Sequence, residues 1–357
     1  TYKLLTPGPL TTSLSVRKEM LVDRCTWDDD YKEMTQFVRR ELLTLAHVSE
    51  TDYTTVLMQG SGTFGVESVL SSVVGKNDCV LVPVNGAYSE SMCQILERYG
   101  IAFVREDFAW NERVAVIAAH PEITTISIVH NETTSGLIND LVSVSEVVKN
   151  HNLRFIVDAM SSFGAVDVNM AELGIDFLIS SANKCIQGVP GFSFIIARRE
   201  ALRATEGNAR TISLDLHSQW KTMEKDNGKW RFTSPTHVVA AFAQALKELQ
   251  QEGGVTVRGE RYAATNRKLR EGMRTLGFEP FVSEAFQGPI ITTFLYPEGR
   301  NLDFKHMHHW LKEQGYVIYP GKLTDRDTFR IGNIGEIYDA DADRILELFA
   351  QYTKEFM

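Results

Sequence analysis

Two side chains in this sequence are spaced as a reactive pair. Asp158 closes the apolar run 154–157, and Lys184 follows another, 177–180. If those runs are neighbouring parallel strands, an acid and an amine meet at one sheet edge, where ligands of such sheets collect. Taken alone, Asp158 reads equally well as a turn or helix cap. Other stretches belong at the same edge. Gly60-Ser61-Gly62-Thr63 follows an apolar run and opens a helical pattern, and its glycines and free N–H groups suit an anion. Asn131-Glu132-Thr133-Thr134-Ser135-Gly136 follows another run and is rich in hydroxyls, and Tyr88 lies beyond a further one.

Together these residues match the needs of pyridoxal phosphate. That cofactor's aldehyde is held by a lysine as an imine, and its pyridine nitrogen needs an anion beside it so that the ring accepts electrons. Lys184 and Asp158 suit those two roles. Ser61, Gly62 and Thr63 would cradle the phosphate, and Tyr88 could stack on the ring. Each has an ordinary explanation as a cap or turn residue. Four strand tips converging on one cofactor favour the chemical reading. Arg330, inside the apolar run 329–331, must find an anion or bend to water. A structural salt bridge and a planar clamp for a carboxylate or phosphonate both remain open for it.

Competing motifs carry less. Residues 60–65 spell GxGxxG, but a dinucleotide site wants an acid at the end of the next strand, and Cys79–Val84 runs into Asn85-Gly86 instead. A nicotinamide-dependent oxidoreductase is therefore the rival from another class, and a non-catalytic binding module leaves Lys184 and Asp158 without a purpose. Ser181-Ala182-Asn183-Lys184 fits SxxK, yet the SDN and KTG elements of those acyl-transfer enzymes are absent. His306, His308 and His309 lack a carboxylate at metal-ligand spacing and read as solvent-facing. Nothing marks Cys185 as a nucleophile.

Elements to position these groups are legible in the apolar pattern. Strands are expected at Tyr53–Gln59, Cys79–Val84, 101–105, 125–130, 154–157, 177–180 and 192–197, with helices at 64–74 and 90–99. Alternating strands and helices predict an α/β fold with a mostly parallel sheet. From about residue 257 the texture shifts to a long charged helix (258–276), strands at 279–282, 290–296, 317–319 and 329–331, and helices at 304–314 and 340–354. The expected organisation is a large domain over 15–256, a smaller C-terminal α+β domain over 257–357, and an N-terminal segment, 1–14, associated with the smaller one. The turn Thr6-Pro7-Gly8-Pro9 would carry that segment across.

Composition excludes several classes. A formal charge of −9 over 357 residues leaves no basic footprint for nucleic acid or an anionic membrane. The four cysteines form no CxxC pair and suit a reducing compartment, so a cytoplasmic location is expected. No apolar run approaches the ~18 residues of a membrane span.

The sequence resembles the class V, fold type I aminotransferases over essentially its whole length. The stretches that carry the resemblance include Cys25-Thr26-Trp27-Asp28-Asp29-Asp30, Val157-Asp158-Ala159-Met160-Ser161-Ser162 and Ser181-Ala182-Asn183-Lys184-Cys185-Ile186-Gln187-Gly188. Lys229-Trp230-Arg231-Phe232-Thr233-Ser234-Pro235 and Phe329-Arg330-Ile331-Gly332-Asn333 add to it. The resemblance implies Lys184 as the cofactor-holding lysine, Asp158 as the pyridinium partner and Tyr88 on the ring. It also implies Thr133 near the ring oxygen, with Ser61, Gly62, Thr63 and Asn183 around the phosphate. It further implies a homodimer with shared sites, in which Thr233 reaches the opposite subunit's phosphate, and Arg330 as the substrate clamp. The implied activity passes the amino group of 2-aminoethylphosphonate to pyruvate; alanine–glyoxylate or serine–pyruvate exchange is the alternative within the class. A phosphonate carries nearly two charges, so a second donor is expected, from residues 24–30 or the N-terminal turn.

Overall fold

The computed structural model describes residues 2–115, 121–323 and 325–357. Among the described residues, seven strands form the main sheet: β1 (Tyr53–Gln59), β2 (Cys79–Val84), β3 (Ala102–Asp107), β4 (Thr125–Val129), β5 (Arg154–Asp158), β6 (Phe177–Ser181) and β7 (Phe192–Arg198). Their order across the sheet is β1-β7-β6-β5-β4-β2-β3. All neighbours pair in parallel except β7, which runs antiparallel to both β1 and β6. Six strands therefore end on the same edge. Central strands such as β2 (CVLVPV) and β4 (TISIV) are buried on both faces, which is why they read as unbroken apolar runs. The sheet is covered by helices including Gly62–Val73, Ala87–Arg98, Leu141–His151 and Thr236–Glu252, with Asp29–Leu45 packed on the last of these.

A second core lies beyond Leu249, the last residue of the first. It gathers Phe278, Phe294, Phe329 and Phe349 around a three-stranded antiparallel sheet made by Ile291–Leu295, Thr328–Gly332 and Tyr319–Pro320. Leu5 belongs to this second core, and Lys3–Leu4 pairs in parallel with Tyr316–Val317. The expected strand at 279–282 does not form: Pro280, lacking an N–H, makes only an isolated bridge to Phe294. The expected strand at 317–319 is divided, because Tyr316–Val317 serves Lys3–Leu4 while Tyr319–Pro320 serves Thr328–Gly332.

The long helix Gly254–Thr275 joins the two cores through a buried polar knot. Arg258, 2% exposed, pairs with Glu252 at 2.6 Å. Arg261 also pairs with Glu252, and one of its Nη atoms donates to the carbonyls of Gly335 and Ile337. Its other Nη donates to Gln187 Oε1, which also accepts from the Tyr262 hydroxyl at 2.6 Å. Gln187 lies three residues past Lys184 and holds a left-handed φ of 68°.

Candidate active site

Register places the reactive side chains next to each other. Val129 pairs with Asp158, and Asp158 with Ile179, so β4, β5 and β6 end side by side. Above that edge opens a cavity of about 220 Å³. Its wall takes Ser61, Gly62 and Thr63 from beyond β1, Tyr88 from beyond β2, Asp158 from β5, and Asn183 and Lys184 from beyond β6. Gly8 of the N-terminal turn closes it from the other side.

Asp158 is 4% exposed, and its Oδ1 accepts a hydrogen bond from the Met160 N–H at 2.9 Å. Its Oδ2 has no hydrogen-bond partner among the described residues. Burial pushes the carboxyl up to about 7, against the Met160 N–H and with the Glu132 carboxyl adding to the rise. A buried carboxyl of this kind is stabilised in its charged form by a cation placed opposite. Across the cavity, Lys184 Nζ donates to the Pro7 carbonyl at 2.9 Å. Desolvation lowers its pKa, outweighing the pull of Tyr88, Cys185 and Asp158. The amine is thereby shifted toward its neutral, nucleophilic form.

Gly8 is what lets the turn come so near. Its φ of +120° is a glycine conformation, and a Cβ there would lie 2.7 Å from Lys184 Cδ and 2.7 Å from the Asn183 carbonyl. At the anion end, the Ser61 side chain does not cap helix Gly62–Val73, so the first-turn N–H groups lack a side-chain partner. A Cβ on Gly62 would overlap the Met160 thioether, which keeps the backbone bare at this point. Asn183 is oriented by the Ser181 hydroxyl, which donates to its Oδ1 at 3.1 Å.

Tyr88 sits at the start of helix Ala87–Arg98, and Lys322 Nζ lies 4.9 Å from its ring centre. Burial raises the phenol's pKa, but the Lys184 and Lys322 cations, with the neighbouring Thr133 hydroxyl, leave the net shift downward. Thr133 is buried, and its hydroxyl lies beside the Tyr88 phenol without a hydrogen bond of good geometry among the described residues. Its carbonyl accepts from Arg330 Nη1 at 3.1 Å, while Arg330 Nε donates to the Pro320 carbonyl at 3.0 Å. Arg330 is only 2% exposed and has no carboxylate within ion-pairing distance among the described residues. The structural salt bridge left open for it is not made. It stands outside the cavity wall but within electrostatic reach of Tyr88 and Lys184.

Some expected residues stand elsewhere. Thr233 is exposed in the loop before helix Thr236–Glu252 and does not line the cavity of its own chain. Arg24 is turned onto Glu19, 2.7 Å away, and onto the carbonyls of Glu19 and Val22, so it offers no free cation to its own subunit's cavity. The N-terminal turn presents an acceptor, the Pro7 carbonyl, in place of a donor. His306 bonds the Tyr352 hydroxyl and His309 pairs with Glu313; no group fit to hold a metal occurs among the described residues. Cys185 is fully buried, and desolvation pushes its thiol up to about 12.

Sequence reasoning passed over Glu132. Its carboxylate is fully buried, accepts from the Tyr88 N–H at 3.1 Å and the Thr134 hydroxyl at 2.7 Å, and fills the space where a Cβ on Gly86 would stand. It ties the Tyr88 loop to the Thr133 loop. The signal was an acid one residue before Thr133 at a strand tip, hidden among hydroxyls of plainer purpose.

Comparison with known proteins agrees with this geometry. The aminotransferase class-V family matches residues 29–325. A 2-aminoethylphosphonate–pyruvate transaminase of Lysinibacillus sphaericus is 54% identical over 357 residues, covering 98% of this chain and 97% of that protein. The crystal structure of an alanine–glyoxylate aminotransferase from Nostoc sp. superposes with a TM-score of 0.89 at 22% identity, covering 98% of this chain and 95% of that one. A PLP-bound phosphoserine aminotransferase from Trichomonas vaginalis gives 0.79 at 15% identity, covering 98% and 100%. These two structures bear on the fold. Among the described residues, no helix is long and apolar enough to cross a membrane.

Proposed function

Because the chain belongs to the class-V aminotransferases, we propose that it transfers the amino group of 2-aminoethylphosphonate to pyruvate, giving phosphonoacetaldehyde and L-alanine. Identity of 54% over nearly the full length of a protein named for that activity supports the substrate pair. The observation that carries the site is the buried Asp158 carboxyl, with one hydrogen bond among the described residues, lining the same cavity as a desolvated Lys184 amine.

Pyridoxal phosphate is the cofactor, and the residues present fit it. Asp158 Oδ2 would hold the proton on its ring nitrogen. The orphaned Thr133 hydroxyl would serve the ring oxygen, and Tyr88 would cover the ring face. Ser61, Gly62, Thr63 and Asn183 would bind the phosphate. When bound, the cofactor supplies an aldehyde that exchanges amines and a cationic ring that accepts the electron pair of a broken C–H bond.

The protein's own part follows from its geometry. Lys184 Nζ is the nucleophile that tethers the cofactor, and burial disfavours its charged form. With the cofactor bound and the donor's amine in its place, the freed Nζ would be the base that takes the proton from the donor's nitrogen-bearing carbon and gives it back. Arg330 grips phosphonate in the first half of the cycle and carboxylate in the second. The same steps in reverse deliver the amino group to pyruvate.

The active unit is a homodimer in this reading. Phe64 and Phe232 are 50% and 52% exposed, beside a cavity they share with Trp230 and Leu214, and Trp27 and Ile212 are exposed as well. Apolar surface of that kind suits burial against a second copy. Thr233, next to Phe232, would then reach the phosphate bound in the partner.

A coupled assay for phosphonoacetaldehyde from 2-aminoethylphosphonate and pyruvate tests the reading. Alanine or serine donating to glyoxylate, with 2-aminoethylphosphonate untouched, would overturn the substrate assignment in favour of the sister activities.

A further inference from the structure

Arg330 can balance one negative charge, yet the donor carries nearly two, since phosphate-type groups lose their second proton near pH 6. We propose that Lys322 is the second cation, a specificity-determining residue that favours the doubly charged phosphonate over singly charged carboxylates. The inference rests on the function proposed above and names the group that selects the donor.

Lys322 leaves the chain from a fixed point. Tyr319 lies opposite Arg330 in the register of the small sheet, and the Gly321 N–H donates to the Thr328 carbonyl at 2.9 Å. A Cβ at position 321 would overlap that carbonyl and the Thr328 hydroxyl, so the backbone is pinned immediately before Lys322. Arg330 Nε holds the carbonyl of Pro320 in the same arm. The guanidinium thus stands in a strand, and the ammonium two residues past the strand paired with it.

Both cations act on the same tyrosine, and neither is in a salt bridge among the described residues. Lys322 Nζ lies 3.4 Å from the hydroxyl and 4.9 Å from the ring centre of Tyr88, which itself lines the cavity that holds Lys184. Arg330 lies within electrostatic reach of the same phenol. No carboxylate among the described residues is within ion-pairing distance of either cation, and Arg330 Nη2 makes no hydrogen bond among them. A carboxylate is satisfied by the planar fork of an arginine alone. A second negative charge gains from a compact, movable ammonium, and Lys322 is a point charge on a flexible stem.

The test compares two amine donors on the same form of the holoenzyme, 2-aminoethylphosphonate and L-alanine, the latter carrying a carboxylate. Lys322 is exposed, so Lys322→Met should keep the wild-type melting temperature. Its kcat/KM for 2-aminoethylphosphonate should fall about tenfold or more relative to that for L-alanine, with the loss in KM. Lys322→Arg should restore most of the ratio. Equilibrium binding of methylphosphonate against acetate, read from holoprotein absorbance, should show the same selective loss. An unchanged ratio in a wild type that uses the phosphonate overturns the role of Lys322 alone, and so does an equal loss for both donors. A wild type that ignores 2-aminoethylphosphonate overturns the substrate reading itself.

Discussion

The two sides of the cavity are built in different ways. On the Asp158 side, functional groups stand at the ends of strands buried on both faces, β2, β4, β5 and β6, whose register fixes neighbouring tips together. On the Arg330 side they stand on a two-residue strand, a five-residue strand and an N-terminal turn that passes between them and Lys184. Both sides are held by sheet ladders, the first by the seven-stranded sheet and the second by the small three-stranded one, in which Arg330 pairs with Thr293 and Tyr319. Chemistry common to many amine exchanges therefore rests on the large sheet, and the choice of amine on the small one.

Removing the large sheet's nucleophile gives the largest effect. Lys184→Ala should abolish turnover and lose the borohydride-trapped label at position 184, while the cofactor-free protein melts as wild type; retained activity would break the comparison at its base. Arg330→Ala comes next. Loss of charge-assisted bonds worth ~1.5–3 kcal/mol each should raise KM for both 2-aminoethylphosphonate and pyruvate. If only one substrate suffers, the clamp is not shared. Gly8→Ala tests the turn between the two sides: strain at a positive φ and contact with Lys184 Cδ should cost about 1–3 kcal/mol of stability and slow turnover. A variant as stable and active as wild type would show that this close approach is dispensable.

The smallest effect is a pH slope. Asp158 binds its proton more tightly when folded, at about 7 against 3.8. The folded cofactor-free protein therefore holds more protons than the unfolded chain between those values, and this group's contribution to stability falls as pH rises through them. Asp158→Asn should remove that part of the slope, seen as melting curves of the two apo proteins that converge toward low pH. Parallel curves would mean that the carboxyl is not desolvated.

Legibility in the sequence follows the same division. Strands β1 and β2 fall where the apolar pattern put them, residue for residue, because burial on both faces leaves an unbroken run. Asp158 and Lys184 were readable because they stand just past the ends of such runs. The antiparallel course of β7 was not, since its seven apolar-rich residues look the same in either direction. Nor was the split of 316–320 between two sheets, which depends on the distant Lys3–Leu4. Glu132 was missed because its purpose, bonding the Tyr88 N–H, arises from contact across 44 positions. Lys322 gave no local signal, and only the strand pairing that brings it to Tyr88 makes it noticeable.

One guanidinium works on both bodies at once. Arg261 grips the carbonyls of Gly335 and Ile337 just past the strand of Arg330, and also the side chain of Gln187 just past Lys184. A swing of the smaller body must either give up those bonds or tug the loop behind the nucleophile. Any movement at the Arg330 strand would therefore be geared to the loop behind the amine, like two wheels on a common axle.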